Sequence, residues 1–420
     1  MAASSVTTAH VLPQSRAPRT RGLQLTPTQV REHRLKRRVG VAWALLVLNV
    51  LTFAAGLSVI PIPSVLGKAI TQGSLSLALL VALTVNRKGL FRPNIFLCLV
   101  SLLAVEVMLT CILNHVNKGT LYRTFRFDEF VAVMWLLSPY WARKDMLLLR
   151  CHLKTLIVVL ASVLLGLLIS PGRVLHNRFA GVIWPVPGTQ VAHYAAIVLG
   201  LVILLWFCGQ LRGRLALPIA AISSVILVGT HTRTALTGVL GGIIVAGFSL
   251  IAVTPRVRRF FGAIGTVAVI AIVTSSAAIS AYLARGEGTA QLFSLSGRTT
   301  YWNALLAFPR TRLQEIFGFG LVNGTFNGQP IDSNWLSSYQ QQGLVGVTLC
   351  ICIVIFLYIA CAFQTDRTKR ALALFLTTYC LLASITEDGF ATPTTYLLDV
   401  MLAASLLIPI SMRRASPDEE

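Results

Sequence analysis

Three charged residues stand in apolar surroundings where charge is costly: Arg233 in GTHTRTALTG, Arg298 in SLSGRTTYW and Asp332 in GQPIDSNWLSSYQQQGLVG. A charge at membrane depth costs several kcal/mol unless it is paired or wetted, so each is a candidate for function. Arg233 lies at the junction of two apolar stretches with no acid nearby in sequence. It can snorkel to lipid headgroups or hold a buried anion. Arg298 opens a short amphipathic stretch, Thr299 to Phe308, with Trp302, Leu305 and Leu306 expected on one side. A guanidinium beside helix N-terminal amides suits a phosphate or a diphosphate, against the plainer reading of a surface arginine. Asp332 can cap the following helix or take a proton from a hydroxyl.

Further candidates surround these. Arg178, in HNRFAGVIWPVPGTQVAHY, precedes Pro185 and Pro187, which predict a rigid re-entry into the membrane. Glu387 and Asp388 follow an apolar stretch and can pair with any of the arginines. Trp302 and Trp335 can stack on sugar or anchor a loop at the interface. His231 can titrate near neutrality, although a lone histidine is more often hydrogen-bonded for structure. Gly318, Gly320 and Gly324 in FGFGLVNG do not form GxGxxG, so they predict a turn and not a nucleotide site. No Walker loop and no metal-ligand cluster is present in the sequence, and its eight cysteines, none in a CxxC pair, read as core packing.

The elements that must position these residues are transmembrane helices. The 420 residues are 55% hydrophobic and 12% charged, about half the charge of an ordinary soluble domain. Apolar runs long enough to cross a bilayer recur, with spans expected at 41–60, 69–86, 94–114, 121–141, 152–171, 192–209, 215–230, 235–253, 261–283, 343–363, 371–386 and 393–410. The predicted class is therefore all-α: a polytopic bundle of about 12 helices over 41–410, with one long external loop at 284–342 that contains short amphipathic helices. A basic, disordered tail over 1–40 and a short one over 411–420 flank it, both cytoplasmic.

The net charge of +21 invites a nucleic-acid reading. Position argues otherwise. With the N-terminus inside, the tails and alternate loops, together with Lys154 at the start of a span, hold 25 of the 36 Lys and Arg, which is the positive-inside asymmetry of an inner-membrane protein. Nucleic acid is not an expected partner, whereas anionic membrane lipids are. The other eleven cations lie outside.

The order TxTRTALxG, SGRTxxW, IFGFGL and DSNWL ending in QQGLVG resembles the O-antigen ligase and Wzy-type polymerase superfamily, best over residues 174 to 350. The resemblance implies a GT-C-type membrane glycosyltransferase that uses a polyprenyl-diphosphate-linked glycan donor and a glycan acceptor on the external face, with no nucleotide sugar or required metal. It also implies that Arg233 and Arg298 hold the diphosphate. Where the family's ligases carry His-Asn, this chain has Asp332-Ser333, which favours polymerisation of lipid-linked repeat units over ligation to a lipid or protein. A chain-length regulator is a partner that polymerisation allows. The rivals are a transporter of an anionic or lipid-linked solute, and an envelope scaffold.

Overall fold

The computed structural model describes residues 26–54, 56–59, 61–113, 118–141, 143–175, 178–251, 254–260, 298–321 and 324–408. The ninth expected span, the first part of the long loop, the C-terminal tail and residues 1–25 lie outside them.

Helices α1 (Pro27–Val50), α2 (Ser64–Val85), α3 (Ile95–Leu113), α4 (Lys118–Leu137), α5 (Leu147–Ile169), α6 (Pro171–Leu175), α7 (Gly188–Phe207), α8 (Gly213–Gly229) and α9 (Arg233–Ile251) come first. After them come α10 (Arg298–Ala307), α11 (Arg312–Phe317), α12 (Asn334–Phe363), α13 (Arg367–Ala383) and α14 (Thr395–Leu407). Each expected span among the described residues overlaps a helix, although α1 ends at Val50, short of the expected 60, and six helices are long and apolar enough to cross a membrane. Large apolar side chains such as Leu80, Val158, Leu168, Val225, Phe248 and Ile355 point outward. Lipid suits such a surface, since water would leave it as large unburied patches. At the centre runs α7, enclosed almost all round.

Small residues let the central helices close up, as packing in lipid favours. A Cβ at Gly200 of α7 would stand 1.9 Å from the Phe375 ring of α13, and one at Gly242 of α9 would meet the same ring at 2.8 Å. Gly238 makes room for Tyr379 in the same way. Gly200→Ala is therefore expected to destabilise the bundle by about 1–3 kcal/mol, the usual cost of overpacking. Its melting temperature in detergent should fall, and Phe375→Leu should restore it. An unchanged melt would show that the helices can part at no cost.

Two expectations are corrected. The stretch 1–40 is not disordered throughout, because α1 begins at Pro27. Thr26 and Gln29 form a capping box there, and proline suits the first helical position. The single acid of that stretch, Glu32, lies 3.1 Å from Lys36 and 3.0 Å from Arg143, and Asp145 pairs with the same two cations. This quartet ties the start of α1 to the turn before α5.

The long loop also ends earlier than expected, at the start of α12 rather than at residue 342. Gly343 then breaks α12 at φ 62° and ψ −158°. The break frees carbonyls that the FGFG turn takes up: Phe319 N–H donates to Gln340 O at 3.0 Å and Gly320 N–H to Gln341 O at 2.8 Å. A Cβ at Gly318 or Gly343 would fall 2.4 Å from backbone atoms of the opposing segment, so both positions demand glycine. The glycines do form turns, with positive φ at 318, 320 and 324.

Within the loop, the amphipathic helix is present as α10. Leu305 is buried against Phe326 and Ile331, but Leu306 is 53% exposed and does not share its face. A two-residue hairpin, β1 (Thr325–Phe326) with β2 (Gln329–Pro330), turns through Asn327 and Gly328, both at positive φ. That is the favoured chemistry of a tight hairpin turn. Arg310 fastens this unit to α12, donating to Gln340 Oε1 at 2.7 Å and to Leu305 O at 2.9 Å, with its guanidinium 4.7 Å from the Tyr339 ring.

Candidate functional site

The segment between α13 and α14 gathers the candidates. It is held by Asn334, the first residue of α12, which is fully buried. Asn334 Oδ1 accepts from Gly389 N–H and Phe390 N–H, and its own backbone N–H donates to Ser384 O at 2.9 Å. Gln342 Nε2 adds a bond to Ala391 O at 2.8 Å, and Trp335 packs edge-on against Phe390. Trp335 is thus a partly buried structural contact of this segment rather than an open platform.

Thr386 sits at the centre. Its carbonyl accepts from Arg298 Nη1 at 3.2 Å, and its hydroxyl lies 2.8 Å from that of Thr234, the second residue of α9. Arg298, which opens α10, and the start of α9, which Arg233 opens, thus meet at one residue. Arg298 Nη2 lies 2.9 Å from Asp332 Oδ2, with both side chains about one-third exposed. Asp332 does not cap α12, whose N-cap is Ser333. Trp302 lies half-buried on α10, one turn from Arg298.

Glu387 and Asp388 follow Thr386, beyond the end of α13. Burial above all, with Asp332 beside it, pushes the Glu387 carboxyl up to about 7 against the pull of Arg298 and Arg178. Burial likewise pushes Asp388 up to about 7, although the Ser337 side chain hydrogen-bonds to it. Arg178 therefore belongs to the same electrostatic neighbourhood. Its segment is tied to the chain before α2: Ala54 N–H donates to Pro185 O at 2.8 Å and Val59 N–H to Val182 O at 2.9 Å. Arg178 and Arg173 line an open cavity of about 830 Å³ that borders Pro187 and Thr189.

A second cavity, of about 430 Å³, also borders Pro187 and Thr189 and has Glu387, Asp388, Lys68 and Arg126 in its walls. A third, of about 270 Å³, continues it past Arg126, Asp388 and Pro393 to Arg123. Lys68, Arg123 and Arg126 were not singled out in the sequence. The signal was there, since YRTFRFDEF places four charges inside an apolar span, with Arg123 and Arg126 three residues apart on one helical face.

One further cluster lies in the bundle interior. Asp399 of α14 stands 3.0 Å from His152 Nε2 of α5 and 2.8 Å from His193 Nε2 of α7, all three almost fully buried. Trp43 Nε1–H donates to His152 Nδ1 at 3.2 Å, so the His152 proton must sit on Nε2, facing the carboxylate. Tyr379 Oη lies 3.1 Å from His193 Nδ1 and can donate or accept. Among the described residues, no group of His, Cys, Asp and Glu is arranged to hold a metal ion.

Set beside protein-family models and curated proteins, the chain matches none.

Proposed function

We propose that this chain transfers a glycan from a polyprenyl-diphosphate carrier to an acceptor sugar at the outer face of the cytoplasmic membrane, joining surface-polysaccharide repeat units. The observation that supports this best is the meeting of Arg298 and the start of α9 at Thr386, next to the half-buried carboxylates of Glu387 and Asp388. The resemblance in the motifs around Arg233, Arg298 and DSNWL points the same way.

In this mechanism the diphosphate lies against Arg298 and Arg233, with Arg178 adding positive field. The acceptor oxygen forms a bond to the anomeric carbon while the bond from that carbon to the diphosphate oxygen breaks. The acceptor proton passes to a carboxylate, and the polyprenyl diphosphate leaves with its extra charge held by the guanidinium groups. Direct displacement inverts the anomeric carbon. The role first given to Asp332 moves: one of its oxygens is committed to Arg298, so it positions that guanidinium. Glu387 or Asp388 takes the proton.

The test uses purified protein in nanodiscs with a short-chain polyprenyl-diphosphate oligosaccharide. A ladder of longer glycans with released polyprenyl diphosphate is the expected product, and a single addition to a different acceptor would make the chain a ligase. If no diphosphate is released while the solute crosses sealed vesicles, the chain is a transporter. The rate should rise with pH through about 7, because the accepting carboxylates are protonated below it, falling roughly tenfold per unit on the acid side. A rate independent of pH across that range would remove Glu387 and Asp388 from the proton transfer.

A further inference from the structure

Two cationic groups share one acidic pair. Arg298 and Arg178 act on the Glu387 carboxyl, and Lys68 and Arg126 share the second cavity with Glu387 and Asp388. The mechanism above uses only the first group.

The cavity walls carry opposite charges that do not meet. No ion pair among the described residues joins Lys68 or Arg126 to Glu387 or Asp388. Arg126 is oriented by Asn49, whose Oδ1 accepts from Nη2 at 3.2 Å and whose Nδ2 is fixed on Thr71 O at 2.9 Å. The Arg126 Nε and Asp388 Oδ1 are both enclosed and have no hydrogen-bond partner. Buried groups of this kind are normally satisfied, so their exceptions ask for a ligand or water. Between them the lining is amide and hydroxyl, from Gln72, Thr189, Thr394 and Thr395, with the Tyr396 ring. That composition matches a carbohydrate whose hydroxyls hydrogen-bond and whose ring faces stack. The cations require an anion on the same molecule.

We infer that this cavity is the acceptor subsite, taking a glycan that carries its own phosphate or diphosphate, with the phosphate on Arg126 and Lys68 and the reacting hydroxyl directed to Glu387 and Asp388. The inference rests on the glycosyl-transfer reading and deepens it. A reaction that joins two diphosphate-bearing glycans needs two anion sites that share a proton acceptor, and Glu387 feels Arg298 and Arg178 while sharing a cavity with Lys68 and Arg126.

The full chain in nanodiscs, titrated separately with geranyl diphosphate and inorganic pyrophosphate, is expected to bind two equivalents. The double substitution Lys68→Gln with Arg126→Gln should bind one, as should Gln72→Trp, which fills the cavity and leaves both cations in place. Arg298→Gln should also bind one, at the other site. If both probes fill the second site, phosphate alone is recognised. If only geranyl diphosphate does, a lipid-borne diphosphate is required. One equivalent on the unaltered chain, or two on both cavity variants, would overturn the subsite. Failure of the underlying reading appears separately, as undiminished glycan extension by Arg298→Gln.

Discussion

Arg298→Gln is expected to end glycan extension while leaving folded protein in the membrane at its usual amount. The glutamine keeps a hydrogen-bonding amide near Thr386 O but removes the charge proposed to meet the leaving diphosphate. Loss of one such preorganised donor costs roughly 10²–10³-fold in rate. The side chain is about one-third exposed, so its removal opens no cavity in the bundle. Asp332→Asn separates positioning from proton transfer. It frees the guanidinium from its 2.9 Å partner without removing it, and the rate should fall about tenfold, one step of 1.4 kcal/mol, with the pH profile unmoved. Glycan lengths on a gel, normalised to protein abundance, give the result. Wild-type lengths from Arg298→Gln would refute the role of Arg298.

Asp399→Ala should instead lose the protein. Its carboxylate is the shared partner of His152 and His193, and all three lie within the bundle, where neither water nor lipid can replace it. The His152 Nε2–H would face an empty space, because Trp43 already occupies Nδ1 as a donor. Breaking a buried charged contact by removing one partner costs about 3–5 kcal/mol, a large share of a typical stability of about 5–15 kcal/mol. Little monodisperse protein should survive extraction in detergent. Asp399→Asn retains one acceptor oxygen and should lose less. Equal melting curves for Asp399→Ala and the unaltered chain would mean that the cluster holds nothing together.

These two residues differ in how far they could be found from the chain alone. Arg298 was legible because a helix start, a glycine before it and a charge in apolar surroundings are local features. Asp399 was not, since its histidines lie 247 and 206 positions earlier, and each in isolation resembles an ordinary polar residue in an apolar helix. The same holds for Asn334. Within DSNWL it reads as a helix start, and only the packed structure turns its side chain onto the Gly389 and Phe390 amides.

The helical class and most helix positions follow from residue type and order, because lipid imposes a length on each apolar run, and the expected inward excess of cations, 25 of 36, follows from the positive-inside rule. Local rules likewise carried the turn at FGFG. They failed where tertiary contact outweighs them: at Glu32, whose ion quartet stabilises helix in a stretch that composition marks as disordered, and at Gly343, where a break in α12 is filled by another segment's amides. The pairing of Arg298 with Asp332, and the gathering of Lys68, Arg126, Glu387 and Asp388 around one cavity, depend on which helices are neighbours. Hydropathy marks six helices as long and apolar enough to cross a membrane but is nearly silent on adjacency, which side-chain shape, small residues and buried hydrogen bonds decide.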